Sequence, residues 1–147
     1  MPAQLSVDEV RRLACAAHGG QQDKAGRPYT EHLAAVADGV AARGGSDAQI
    51  AAAWLHDAVE DGVLSEEQLT GLPVPQATRD IVMAVSKRPG EPPEDYAARI
   101  LATPGALLVK LADLAHNADP DRLAALDEAT RERLTEKYRN MRALLGA

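Results

Sequence analysis

The segment Trp54-Leu55-His56-Asp57-Ala58-Val59-Glu60-Asp61 places four ionisable side chains directly after an apolar run. Burying such groups unpaired is expensive, so they need partners or a ligand. Read as a helix, the segment sets His56 above Glu60 and Asp57 above Asp61, each pair four residues apart on one face. An adjacent His-Asp pair can then grip a cation, while Glu60 and Asp61 stand one turn away to handle a proton. The blander reading is a structural His56–Asp57 hydrogen bond and a solvated Glu60–Asp61 helix end; the segment alone does not choose between them.

Partners elsewhere favour the chemical reading. His32 follows a Gly/Pro-rich loop near a helix start, and Asp113 interrupts the apolar run Ala106-Leu107-Leu108-Val109-Lys110-Leu111-Ala112. Singly, His32 reads as a satisfied core histidine and Asp113 as a buried carboxylate paired with Lys110 or Arg122. Together, two imidazoles and two carboxylates form a nitrogen and oxygen donor set. That set suits one divalent cation, Mn²⁺ best, with Fe²⁺, Co²⁺ or Zn²⁺ accommodated and Mg²⁺ less favoured. Four protein ligands leave positions open on a six-coordinate ion, and such an ion polarises a phosphoryl oxygen and acidifies water. Hydrolysis of a phosphate ester or anhydride is the reaction expected.

Helices must position these groups. Ser6-Val7-Asp8-Glu9, Ser46-Asp47-Ala48-Gln49 and Ser65-Glu66-Glu67-Gln68 each place a Glu or Gln three residues after a capping hydroxyl, which marks a helix start. Apolar residues then recur at spacings of three and four, as in Val10, Leu13, Ala14 and Ala17, and in Ile50, Ala53, Trp54 and Ala58. Further helices are expected at about 30–43, 76–87, 93–102, 105–118 and 130–145. Phe is absent and aromatic residues make up only 3% of the chain, and no β-branched run alternates with polar residues. A sheet lacks its raw material, so the fold class expected is all-α. The turn-rich stretches Gly19 to Pro28 and Lys87 to Pro93 read as loops within one domain spanning 1–147.

Composition sets outer bounds. With 147 residues, 46% hydrophobic and 26% charged, the chain has the size and make-up of one globular domain. The single cysteine, Cys15, cannot pair internally and sits in an apolar run, which gives it a packing role. No stretch approaches the roughly 20 apolar residues of a membrane-spanning helix. The first residues, MPAQLSVDEV, carry an acidic pair where a signal peptide has basic ones, so a cytoplasmic setting without a membrane partner is expected. A net charge of -6, with no basic patch visible in the sequence, opposes DNA or RNA as a partner. A small anionic nucleotide is compatible, because a bound metal reverses the local field. An apolar exposed face would allow a homo-oligomer, but the sequence does not locate one.

Three segments carry a family resemblance: residues 17–32, AHGGQQDKAGRPYTEH; residues 53–61, AWLHDAVED; and residues 109–117, VKLADLAHN. In this order they resemble the HD phosphohydrolase superfamily, and more closely the hydrolase domain of RelA/SpoT stringent-response enzymes and the free-standing small alarmone hydrolases. The resemblance implies that His32, His56, Asp57 and Asp113 are metal ligands, usually of Mn²⁺, and that Glu60 and Asp61 position and deprotonate the attacking water. It also implies that Lys24 lies beside the nucleoside or phosphate, that Asn117 faces the nucleotide, and that Lys87 touches phosphate. The implied reaction removes pyrophosphate from the 3′ position of guanosine tetra- or pentaphosphate; some members also take the 2′-phosphate of NADPH. No synthetase half is recognisable, so a stand-alone hydrolase is implied.

Departures from the pattern fall in the nucleotide pocket rather than in the metal site. Asp23 stands where alarmone hydrolases usually have an Arg that packs on guanine, replacing a stacking cation with an anion. Leu33 follows His32 in place of the usual Pro, and Ala118-Asp119-Pro120-Asp121-Arg122 is more acidic than the typical continuation. Two other functions therefore stand beside alarmone hydrolysis. One is a metal-dependent phosphatase of another nucleotide, such as NADPH or a nucleoside monophosphate. The other is a non-catalytic sensor, against which Glu60 and Asp61 argue, because binding alone has no chemical need of them.

Overall fold

All three Ser-led capping boxes form. In the computed structural model, which describes residues 3–147, Ser6, Ser46 and Ser65 each accept from the backbone three residues on, and Glu9, Gln49 and Gln68 reach back to the cap amide. They open α1 (Val7–Ala17), α3 (Asp47–Leu55) and α4 (Glu66–Gly71). Between and after them lie α2 (Tyr29–Ala42), α5 (Gln76–Val85), α6 (Pro93–Ala102), α7 (Ala106–Asn117), α8 (Pro120–Ala124) and α9 (Glu128–Leu145). The described residues contain no strand, only an isolated bridge between Gln22 and Pro28, so the chain is all-α. Of the N-terminal segment read for targeting, Met1 and Pro2 lie outside the described residues. Among the rest, no helix is long and apolar enough to cross a membrane.

α3 is the central element. Its Ala51, Ala52 and Ala53 are buried on successive sides, and a helix so slim can be approached by α1, α2 and α5 at once. Trp54 and Leu55 fill the space at its end, against a core that includes Leu33 and Val36 of α2 and Ile81 and Val82 of α5. α2 also packs on α7. Their approach is close because Gly39 faces Ala112, and a Cβ at Gly39 would lie 3.3 Å from that of Ala112. Tight contact here draws His32, two turns before Gly39, towards Asp113, the residue after Ala112. α7 starts from Gly105 at φ 83°, where a Cβ would meet Ile81 Cδ1 at 3.1 Å, so glycine suits the position on both counts. Cys15 is half-buried, packed on the core as a filler rather than wholly enclosed.

Two sequence expectations need correction. The helix expected to carry His56, Asp57, Glu60 and Asp61 together stops at Leu55, and residues 56–61 run on as tight turns. The His56 ring explains the break: its Nδ1 lies 2.6 Å from the Ala53 carbonyl, the acceptor that the Asp57 amide would use if the helix continued. The i,i+3 bonds Ala58 N–H to Leu55 and Gly62 N–H to Val59 follow, with one helical bond from Asp61 N–H to the Asp57 carbonyl at 2.8 Å. The second omission is α8, a short helix opened by Asp119 accepting from the Asp121 amide, with Pro120 at the first helical position.

Candidate metal centre

Four side chains distant in sequence converge on one point. Ligating atoms of His32, His56, Asp57 and Asp113 all lie within 4.8 Å of one another, the histidines and Asp113 buried and Asp57 nearly so. α2 supplies His32, the end of α3 supplies His56 and Asp57, and α7 supplies Asp113. His32 Nε2 stands 2.9 Å from Asp113 Oδ1 and 3.7 Å from Asp57 Oδ2; His56 Nε2 stands 3.2 and 3.0 Å from the same two oxygens.

The outer nitrogens assign the tautomers. His56 Nδ1 faces the Ala53 carbonyl, which can only accept, so Nδ1 carries a hydrogen and Nε2 is the nitrogen left for a cation at the centre. His32 Nδ1 lies 2.7 Å from His116 Nδ1. An Arg122 Nη1 also reaches His116 Nδ1, at 3.0 Å, and a guanidinium can only donate. His116 Nδ1 is therefore the acceptor, His32 Nδ1 the donor, and the His32 Nε2 lone pair also points into the cluster. Burial, then the Arg122 charge, push His116 down to about 4, which keeps its ring neutral near pH 7.

The carboxylates are held as anions. Burial opposes ionisation of Asp113, but the Lys110 ammonium 2.9 Å from Oδ2 and the two imidazoles outweigh it, and its carboxyl lies well below the usual range. Asn117 Nδ2 donates to Asp113 Oδ1 at 3.2 Å, and the Tyr29 hydroxyl donates to Asp57 Oδ2. Burial likewise works against a charged His56, yet Asp57 and Asp113 raise it well above its ordinary value. The cluster thus demands positive charge at its centre. Two inward lone pairs, two carboxylates and occupied outer atoms are what a divalent cation requires.

The cluster lies in the wall of a cavity of about 630 Å³, a size that suits a nucleotide. Every other residue singled out from the sequence lines it: Lys24, Glu60, Asp61, Lys87 and Asn117. Glu60 Oε1 accepts from the Lys87 backbone amide at 2.6 Å, and burial raises its carboxyl above the ordinary range. Asp61 Oδ2 accepts from Gln21 Nε2 at 2.9 Å, and Gln21 Oε1 in turn meets His18 Nδ1 at 2.9 Å.

Several groups escaped sequence reasoning. Tyr29 stands one turn before His32 and His116 one turn after Asp113, spacings that mark them in retrospect. Arg133 and Lys137 come from α9 and line the far wall, with nothing local to announce them. Lys110, not Arg122, holds Asp113; Arg122 pairs instead with Asp23, Nη1 to Oδ2 at 3.3 Å. Asp23 is consequently no bare anion facing the pocket. The cavity also gathers the basic charge that the sequence scatters, through Lys24, Lys87, Lys110, Arg122, Arg133 and Lys137.

Residues 10–89 match the family model of the HD domain. The chain belongs to the HD domain family. The match covers His32, His56 and Asp57 and stops short of Asp113, which α7 supplies. The chain is 33% identical over 140 residues to a probable guanosine-3′,5′-bis(diphosphate) 3′-pyrophosphohydrolase of Synechocystis sp., covering 88% of this chain and 18% of that protein. It is 35% identical over 116 residues to the guanosine-3′,5′-bis(diphosphate) 3′-pyrophosphohydrolase of Haemophilus influenzae, covering 71% of this chain and 17% of that one. The chain therefore spans less than a fifth of the length of the curated relatives it matches. A solved structure described as a metazoan orthologue of SpoT that hydrolyzes ppGpp superposes with a TM-score of 0.79 at 22% identity, over 99% of this chain and 88% of that one, which shows the shared fold.

Proposed function

We propose that this HD domain is a metal-dependent phosphohydrolase, cytoplasmic, that removes the 3′-pyrophosphate of guanosine tetra- or pentaphosphate to leave GDP or GTP. The convergence of His32, His56, Asp57 and Asp113 beside Glu60 and Asp61 in a cation-lined cavity carries the reading. The names of the two relatives, both 3′-pyrophosphohydrolases, support the choice of substrate.

The four donors would hold one divalent cation, and their mixed nitrogen and oxygen character favours Mn²⁺. Such an ion supplies charge neutralisation for a phosphoryl oxygen and makes water more acidic. Glu60 takes the proton from the attacking water; partial desolvation in the cavity wall and the Asp57 and Asp61 charges raise its carboxyl, which makes it a stronger base than a free glutamate. Asp61, fixed by Gln21, orients that water. The water oxygen forms the new bond to phosphorus, the bond to the 3′ oxygen breaks, and that oxygen leaves with the proton that Glu60 took up. Lys24, Lys87 and Asn117 hold phosphate and sugar in the cavity, Lys87 with its side chain because its amide is engaged by Glu60.

A panel of phosphorylated nucleotides incubated with Mn²⁺ tests the proposal. Pyrophosphate released from guanosine tetraphosphate is the expected result. Orthophosphate from NADPH or a nucleoside monophosphate instead would move the site to a general nucleotide phosphatase, which the buried Asp23–Arg122 pair in the cavity wall favours as the second reading. Binding without turnover would identify a sensor.

A further inference from the structure

The contacts that assign the His32 tautomer do not end at His116. Arg122 Nη1 stands 3.0 Å from His116 Nδ1 and 3.3 Å from Asp23 Oδ2. Asp23 is almost wholly enclosed, its side chain 3% exposed. Its Oδ1 accepts from the Ala25 and Arg27 amides at 2.9 and 3.0 Å, which ties the carboxylate to the loop that carries Lys24. Its Oδ2 is buried without a directed hydrogen bond among the described residues, so the guanidinium is what balances it. Arg122, on α8, is thus gripped by an anion on one side and gives an N–H to an imidazole on the other.

We propose that Asp23, Arg122 and His116 form a relay whose task is to hold His32 as a metal ligand. A guanidinium cannot accept, so wherever it touches His116 Nδ1, that atom must be an acceptor and His32 must be the donor. His32 Nε2 is then the nitrogen left to bind a cation that Asp57 and Asp113 would share. Without Arg122, His116 can turn its own Nδ1–H towards His32, which moves the His32 hydrogen to Nε2 and closes the ring to a cation. Asp23 acts one step further out, fixing the guanidinium so that it does not swing into the cavity. All three are positioning residues. The relay also links the Lys24 loop, one wall of the cavity, to a metal ligand through contacts that never cross the bound nucleotide.

The inference rests on the metal-site reading, but not on which nucleotide is cleaved, and its test needs no substrate. Long-range proton–nitrogen correlation spectra of the metal-free protein, recorded above pH 7.5, report the tautomer of each histidine. His116 is expected with its hydrogen on Nε2 in the wild type, and as a mixture in Arg122→Ala. Mn²⁺ affinity measured by calorimetry should fall roughly 10- to 100-fold in Arg122→Ala, the usual effect of losing an outer contact to a ligand. Asp23→Asn should shift it the same way by less, and Arg122→Lys, still only a donor, should recover most of it. A thermal melt of each metal-free variant separates this from folding, because a merely structural pair would lower that melt and leave the His116 tautomer unchanged. A wild-type His116 with its hydrogen on Nδ1, or Mn²⁺ affinity unchanged in Arg122→Ala, would overturn the relay.

Discussion

Each buried charge at the centre has a counterpart whose chemistry dictates its role. Asp113 stays ionised because Lys110 sits against it, and His56 presents Nε2 because the Ala53 carbonyl holds Nδ1. Two substitutions separate holding the metal from using it. Asp57→Ala removes a ligand and should abolish both Mn²⁺ binding and turnover. Glu60→Gln keeps the shape and the Lys87 amide contact, so calorimetry should show the metal still bound while kcat drops by about 10² to 10⁴. Glu60 also sets the pH dependence. It works as the carboxylate, so kcat falls as pH drops through its pKa, which desolvation raises and the bound cation draws back down. A profile of wild type against pH, with the limb absent in Glu60→Gln, checks the assignment.

Helices place these residues, and their ends matter more than their middles. His56 caps α3, and Asp23 anchors a loop between α1 and α2. α7 delivers Asp113, Lys110, Asn117 and His116 from a single helix, so its seating governs the whole centre. Gly105→Ala should expose this dependence. The position has φ 83°, and a Cβ there crowds Ile81 Cδ1, so the change should destabilise the fold by about 1–2 kcal/mol. Urea unfolding would read it as a lower midpoint at an unchanged slope.

For the molecule as a whole, net charge misleads. The chain carries -6, yet the cavity lining balances its lysines and arginines against Asp23, Asp57, Glu60, Asp61, Asp113 and Glu136. A divalent cation at the centre tips that lining to net positive, so anionic nucleotides should be attracted to the metal-loaded form. The same ion should bind the folded chain far better than the unfolded one, because its four donors come from α2, the turn after α3 and α7. At a free Mn²⁺ concentration of 100 times Kd, stability should rise by about 2.7 kcal/mol. Calorimetric melting with Mn²⁺ and with chelator should show the shift, and Asp113→Ala should lack it.

Much of this was legible along the chain because it is local. Ser6, Ser46 and Ser65 announce helices through contacts three residues away, and the absence of Phe and of alternating β-branched runs excludes sheet. Residue chemistry and motif order together singled out His32, His56, Asp57, Asp113, Glu60 and Asp61, and each lines or enters the cavity cluster. The local pattern misled where a side chain competed with the backbone, since nothing in the apolar spacing before His56 says that its ring will take the Ala53 carbonyl and end the helix.

Only packing could decide the rest. His32 and Asp113 are 81 residues apart and meet at 2.9 Å because Gly39 and Ala112 let two helices close up. The partner of Asp23, the acceptor role of His116 and the arrival of Arg133 and Lys137 from α9 are likewise relations between elements. Capping and periodicity act within one or two turns and can be read from neighbours in sequence. Coordination and charge pairing depend on angstrom-scale distances between helices, which are set by the volumes of all the side chains that keep those helices apart.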